Sequence, residues 1–308
     1  MVGTVNINAF FKRQLEAWPQ ARDNYRKLRS VERRSIGFGR FRIDLQFNPG
    51  RTRSTAADTG GKAIAARECF LCGKNRPPEQ KAIPFGDYEI LVNPYPIFDR
   101  HLTIVCREHA PQSISGRVGD MVSIAEAMPE FTVMYNGASS GASAPDHMHF
   151  QAVPKGNLPL ETDIAMAEKI SGTAWTTVST IENYSREVFV INAGSRIAAI
   201  SATKKILDML AENGIGDAMA NIFVWKAAEG FTTALFPRSK HRPSQFYAEG
   251  EDRIIFSPGA IDMAGTVITV HREDFDRLTP ALLEDMLGQV TISHDTMKKL
   301  KTKTESMP

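Results

Sequence analysis

The chain has 308 residues, 42% of them apolar and 23% charged, the balance of a globular protein with one large domain or two moderate halves and not of a disordered or collagen-like chain. Its 37 lysines and arginines against 35 aspartates and glutamates leave a formal net charge of +2, which gives no sign of a nucleic-acid surface but leaves room for a local basic pocket. Three cysteines cannot form a disulfide framework, the first residues lack a signal-peptide core, and no apolar run approaches the roughly 18 residues of a membrane helix, so the expectation is a cytoplasmic protein.

Phe10, Phe11, Leu15, Trp18, Tyr25 and Leu28 recur at helical spacing, and residues 7–29 read as an amphipathic helix kinked at Pro19. Residues 35–48 alternate through Phe41, Ile43, Leu45 and Phe47 and read as a strand; the small, glycine-rich 49–67 reads as a mobile loop. Two short strands follow, YEILV at 88–92 and HLTIVC at 101–106, separated by the proline turn NPYPIFDR. A helix is expected over 118–128 and strands over 130–135 and 147–154. In the second half, REVFVINA predicts a strand, and a helix starts at Ser195 and stops at Asn213-Gly214. NIFVWKAA and FTTALFP predict a hairpin across Glu229-Gly230, RIIFSP and GTVITVH further strands, and 280–302 a closing helix with a frayed tail. Antiparallel strands with helices between them define an α+β fold, organised as halves 1–160 and 161–308 of similar content.

The chemistry concentrates at Asp146-His147-Met148-His149-Phe150-Gln151. On a strand, side chains two apart share a face, so His147, His149 and Gln151 line one side while Met148, Phe150 and Ala152 face a core. Each polar group on that face needs a partner. A neutral imidazole is a competent nucleophile toward phosphorus, and a neighbouring amide can donate to a phosphoryl oxygen. The preceding loop, with Gly137, Gly141 and small serines, suits a phosphate neighbour. Cys69 and Cys72 have metal-ligand spacing. His101 opens a strand and reads as structural, and Cys106 as a core residue. Arg238, Lys240, His241 and Arg242 read as a solvated basic loop or as a phosphate-acceptor site.

HMHFQ after YNGASSGAS resembles the active-site segment of the histidine-triad superfamily, in the branch whose last histidine is replaced by glutamine. That branch holds galactose-1-phosphate uridylyltransferase, diadenosine-tetraphosphate phosphorylase and GDP-galactose phosphorylase. NPYPIFDRHLTIVCREH is similar to the superfamily's asparagine strand and the turn after it. LQFNPGRTRS and SPGAIDMAGTVITVHREDF resemble segments of the GDP-galactose phosphorylases, and ECFLCGKNRP resembles the zinc-binding C-x-x-C of the uridylyltransferases. The resemblance implies two packed histidine-triad-like halves. It implies His149 as the nucleophile that forms a nucleotidyl-histidine and Gln151 as a donor to phosphoryl oxygens. It places Asn136, Gly141 and Ser143 at the phosphate, Asn93 near the nucleotide, and Asn48 and Arg51 on base or phosphate. Cys69, Cys72, His109 and His147 would hold a structural zinc ion. Ala144, Pro145 and Asp146 make the segment before His147 one residue longer than the uridylyltransferase pattern.

The function implied is phosphorolysis of a nucleoside-diphosphate sugar or dinucleoside polyphosphate, with phosphate as acceptor. A sugar-1-phosphate nucleotidyltransferase and a non-catalytic, zinc-stabilised nucleotide-binding protein are the alternatives. A homodimer is a family-level expectation.

Overall fold

The computed structural model of the chain describes residues 6–52 and 60–306. Its strands are β1 (Glu32–Phe38), β2 (Phe41–Phe47), β3 (Ala82–Phe85), β4 (Tyr88–Val92), β5 (Leu102–Cys106), β6 (Phe131–Asn136), β7 (His149–Pro154), β8 (Glu168–Gly172), β9 (Thr176–Thr180), β10 (Phe189–Ala193), β11 (Ala220–Lys226), β12 (Phe231–Pro237) and β13 (Thr266–Thr269). Ten of them form one antiparallel sheet in the order β3-β4-β5-β7-β6-β11-β12-β10-β9-β8. The first five come from before residue 160 and the last five from after it, and they meet where β6 pairs with β11. A second sheet runs β1-β2-β13, with β13 parallel to β2. The α+β class expected from the alternation of elements is the one found.

The alternating pattern of each strand decides which layer it supports. Phe150 and Ala152 on β7, Val133 and Tyr135 on β6, and Ile222 and Val224 on β11 face a core that includes helices Val118–Ala127 and Arg196–Glu212. The intervening residues, among them Met134, Val153, Phe223 and Trp225, face the small sheet and the helices Ala260–Met263 and Pro280–Val290. His149 and Gln151 belong to this second face.

Several boundaries differ from the sequence reading, each for a local reason. Residues 7–29 form two helices, Ile7–Ala17 and Pro19–Leu28, because Trp18 is extended and Pro19 opens the second as its first residue. The strand expected over 35–48 is a β1–β2 hairpin that reverses at Gly39-Arg40. RIIFSP contains no strand, although Ile254 and Phe256 are buried; apolar residues there fill a core without a ladder. The closing helix breaks at Thr291–Ser293 into Pro280–Val290 and His294–Glu305, and Ser293 caps the second, so the tail is helical to Glu305. The expected mobile loop lies partly outside the described residues, and 61–65 within it are helical. The edge strands β3 and β8, and β9 next to β8, carry too weak an apolar pattern to be read from sequence. The helix cap at Ser195, by contrast, is present, accepting from the Ala198 amide.

Candidate active site

β7 begins at His149, not at His147, and this one boundary separates two functions. His149 Nδ1 lies 2.8 Å from the His147 carbonyl oxygen. A carbonyl only accepts, so Nδ1 carries the proton and Nε2 keeps its lone pair. No hydrogen bond engages Nε2 among the described residues. Burial lowers the His149 pKa to about 4, the His147 carbonyl opposing that shift and the His147 ring adding to it. The ring is therefore neutral at physiological pH.

The backbone of His149 is clamped by a residue the sequence reading passed over. Gln112 Oε1 accepts from the His149 amide at 2.8 Å, and its Nε2 donates to the carbonyls of His149 and Asn136 at 3.0 and 2.8 Å. The β6–β7 ladder ends at Met134 and Gln151. Beyond that point the strands part, and the Gln112 amide replaces the missing ladder bonds. Nothing local marks this glutamine, because its partners lie 24 and 37 residues away.

Gln151 is positioned from β5. His101, fully buried, has Nε2 at 2.8 Å from Gln151 Oε1. Burial lowers the His101 pKa to about 3, with Arg51 adding to the effect. The neutral ring donates through Nε2, and the Gln151 amide nitrogen is left as the donor available to a ligand. His101, read from sequence as structural, thus orients the site. Asn93 stands beside it: its Nδ2 donates to Thr103 Oγ1 at 3.2 Å, and Thr103 pairs with Gln151 across the ladder.

The other expected phosphate contacts are placed differently from one another. Asn136 Oδ1 accepts from Asn221 Nδ2 at 2.9 Å and from the Ala260 amide at 2.6 Å, so it binds the second half of the chain. Gly141 has φ +92°, and a Cβ there would stand 2.4 Å from the Gly259 Cα; Gly137 meets the backbone of 217–218 as closely. Both glycines admit close backbone approach. The loop between them also leans on the second half through Ser139 N and Ser140 Oγ, each bonded to the Ala218 carbonyl. Ser143 is half-buried and makes no hydrogen bond among the described residues. Asn48 is buried, donating to Gln46 Oε1 and the Pro96 carbonyl, and Arg51 donates to the Tyr95 carbonyl. Arg238, expected in a solvated loop or acceptor site, is 1% exposed and spends its guanidinium on Asn221 Oδ1 and the carbonyls of Lys240, His241, Pro258 and Val290. Neither reading holds for it: it locks the second half.

His147 turns away from His149, toward the cysteines. Its Nδ1 lies 3.2 Å from Cys69 Sγ, 3.5 Å from Cys72 Sγ and 3.3 Å from His109 Nδ1, and Cys72 Sγ is 3.3 Å from His109 Nδ1. All four ligand atoms fall within 4.8 Å of one another. A tetrahedral ion with the bond lengths of zinc puts its ligands about 3.3–3.8 Å apart, so the cluster has the dimensions of a metal site. His147 Nε2 donates to the Cys106 carbonyl at 2.8 Å, which leaves Nδ1 unprotonated toward the cluster, the tautomer a ligand needs. Asp146, in the lengthened segment, pairs with Arg67 at 2.7 Å and ties the cysteine loop to the loop before β7.

Family models tile the chain. Residues 160–306 match the GDPGP1-like C-terminal domain, and residues 10–154 match a domain of unknown function, DUF4922. The fold is also that of yeast Ap4A phosphorylase Apa2, with a TM-score of 0.60 at 15% identity over 89% of this chain and 97% of that one. With Ap4A bound, the yeast enzyme gives 0.61 at 16% identity over 94% and 98%; with AMP, 0.57 at 15% over 91% and 97%. The fold and the family match of the second half agree with the resemblance of the HMHFQ segment to the glutamine branch of the histidine-triad superfamily. Identities near 15% carry the fold and leave the chemistry to be argued from the site. No curated protein matches the sequence.

Proposed function

We propose that the protein is a nucleotidyltransferase that works through a covalent nucleotidyl-histidine at His149, releasing the nucleotide to phosphate. The observation that carries this is the tautomer: Nδ1–H held by the His147 carbonyl and a bare Nε2 on a neutral ring. The Nε2 lone pair attacks the α-phosphorus, and the bond to the bridging oxygen breaks with its electron pair on the leaving phosphate. The positive charge that develops on the ring is stabilised through Nδ1–H by the His147 carbonyl. Gln151, oriented by His101, donates to the phosphoryl oxygen. In the second half-reaction a phosphate oxygen attacks phosphorus, and the P–N pair returns to Nε2.

Dinucleoside polyphosphates and nucleoside-diphosphate sugars are the substrate classes. The yeast phosphorylase supports the first, since it is described in complex with Ap4A, and the resemblance of LQFNPGRTRS and SPGAIDMAGTVITVHREDF to GDP-galactose phosphorylase segments supports the second. In this reading Ser143, half-buried and without a hydrogen bond among the described residues, offers its hydroxyl to phosphate, while Asn136 and Gly141 shape the loop that carries it.

Cys69, Cys72, His109 and His147 would hold zinc, whose part is structural: it would fix the segment that enters β7. Residues 1–160 would carry the chemistry and 161–308 would buttress it, in a cytoplasmic enzyme that acts as a homodimer.

The test is intact-protein mass spectrometry after mixing with Ap4A or with ADP-, GDP- and UDP-sugars. An acid-labile gain of one nucleoside monophosphate is expected, absent in His149→Ala and discharged by phosphate as a nucleoside diphosphate. Discharge by a sugar 1-phosphate alone would identify a transferase. No adduct with any donor would leave a binding protein.

A further inference from the structure

The ladder between β6 and β7 runs from the pair Phe131–Pro154 to the pair Met134–Gln151. Continued in the same register, it would bring Asn136 opposite His149. Instead a third group enters between the strands. Gln112, 3% exposed, accepts from the His149 amide at 2.8 Å and donates to the carbonyls of His149 and Asn136 at 3.0 and 2.8 Å. We propose that Gln112 is the positioning residue of the nucleophile: its amide wedges the two strands apart and sets where His149 stands relative to the loop 137–143. The proposal rests on the nucleotidyl-transfer reading for the reaction it serves.

Three observations support it. First, the side-chain amide fits in one orientation only. Turned over, its oxygen would face two carbonyls and its nitrogen the His149 N–H, and all three bonds would be lost. A buried group so constrained fixes the separation of the strands it joins.

Secondly, the segment that carries Gln112 is anchored on both sides. The Ala110 carbonyl accepts from the Met148 amide at 2.7 Å, and the Gln112 backbone amide donates to the Pro145 carbonyl at 3.1 Å. Toward the second half, Asp217 accepts from Ser113 Oγ and from the Ile114 and Ser115 amides, the latter two at 3.2 and 3.3 Å. The next residue, Ala218, holds Ser139 and Ser140 of the loop through its carbonyl. The nucleophile's strand and the serine loop are thus tied to the same point of the second half.

Thirdly, the tautomer of His149 depends on this clamp. The donating ring and the accepting His147 carbonyl belong to residues two apart, so the backbone torsions over 147–149 decide whether they meet. Among the described residues, Gln112 is the one side chain that bonds the main chain of His149. Its loss would leave two carbonyls and an N–H to find new partners, and a shift of about 1 Å at a nucleophile costs roughly 100-fold in rate.

The test compares Gln112→Met, which keeps the bulk and loses all three bonds, with Gln112→Glu, which keeps the acceptor but turns an oxygen on both carbonyls. Single-turnover formation of the nucleotidyl adduct is followed with Ap4A and with ADP-, GDP- and UDP-glucose as donors. With the circular dichroism spectrum intact, the maximal rate is expected to fall about 100-fold in both variants, at an unchanged half-saturating donor concentration. Nitrogen-15 NMR of labelled histidines, with the His149 signals identified by their loss in His149→Ala, should show the Nδ1–H tautomer in the parent and mixed tautomers in Gln112→Met. A parental rate in either folded variant, a rate that falls only in step with donor affinity, an unchanged tautomer, or loss of the fold in both variants overturns the proposal. The two readings fail separately: a parent that forms no adduct sinks the transfer chemistry and leaves the tautomer to decide the wedge, while an adduct formed at the parental rate in the variants sinks the wedge alone.

Discussion

A single carbonyl oxygen decides what His149 can do. Accepting from Nδ1, it fixes the tautomer, and burial removes the proton that would block Nε2 near neutral pH. With its pKa lowered to about 4, His149 stays unprotonated until the solution is well below the ordinary histidine value of about 6.5. The acid limb of kcat/KM is therefore expected near pH 4, and a limb at the ordinary value, seen with a pH-stable substrate, would contradict the burial argument. His101 acts one step back. Replacing it with phenylalanine keeps the volume but frees the Gln151 amide to rotate; kcat is expected to fall about 10–100-fold, as for other orienting partners, with KM little changed. Steady-state kinetics separates this from misfolding, which would reduce active protein without lowering turnover per active site. At this scale the sequence was half legible. Strand alternation puts His149 and Gln151 on one face, but Gln112 and His101 reach them from other segments of the chain, and pairing register is not written in any local pattern.

At the scale of elements, the cysteine loop and the start of β7 form one unit. The Cys69–Cys72–His109–His147 cluster sits at its centre, and Arg67–Asp146 and Arg76–Glu89 brace it at 2.7 and 2.6 Å. Without an ion, two thiols and two imidazoles are held together by little more than weak sulfur hydrogen bonds. Prolonged chelation is therefore expected to lower the melting temperature and expose the segment around residues 60–76 to proteolysis, with zinc restoring both. Cys72→Ser should reproduce the chelated state; no change in either readout would show that the cluster holds no stabilising metal. The C-x-x-C spacing made half of this unit visible in the sequence, and the resemblance supplied the two histidines. The Arg67–Asp146 pair was hidden, because 79 residues separate its members. It gives the lengthened segment before His147 a physical role.

Across the whole molecule, the β6–β11 seam makes ten strands one sheet, and Asn136, Asn221 and Arg238 knit its polar end. The halves were readable as similar textures, yet their edge-to-edge union was not, since both strands are buried on both faces and carry no register signal. The same enclosure has a cost at acid pH. His101, His149 and His241 are held at about 3, 4 and 4 by burial. Each unfolded histidine takes up a proton from about pH 6.5 downward while its folded counterpart does not. Their contribution to stability is thus intact above pH 6.5 and is lost as pH falls toward 4, at about 1.4 kcal/mol per pH unit for each group at most. Asp262, raised to about 6 by burial, works in the opposite sense between that value and the ordinary carboxylate range, and buried Asp163 and half-buried Glu187, also raised, do the same. Three proton-excluding histidines and three proton-holding acids leave the net slope to be measured, but the contribution of one histidine can be isolated. His241 lies outside the proposed chemistry and its pKa is lowered first by burial, then by Arg242 and Arg238. His241→Asn removes its proton linkage, so the stability difference between variant and parent should shift in the variant's favour as pH falls from 6.5 to 4.5. Urea unfolding across that range reads the difference directly, and effects at the metal cluster or the acids cancel between the two proteins. A difference that stays constant with pH would mean that His241 titrates alike in the folded and unfolded chain, and that the loop around Arg238 is open to water.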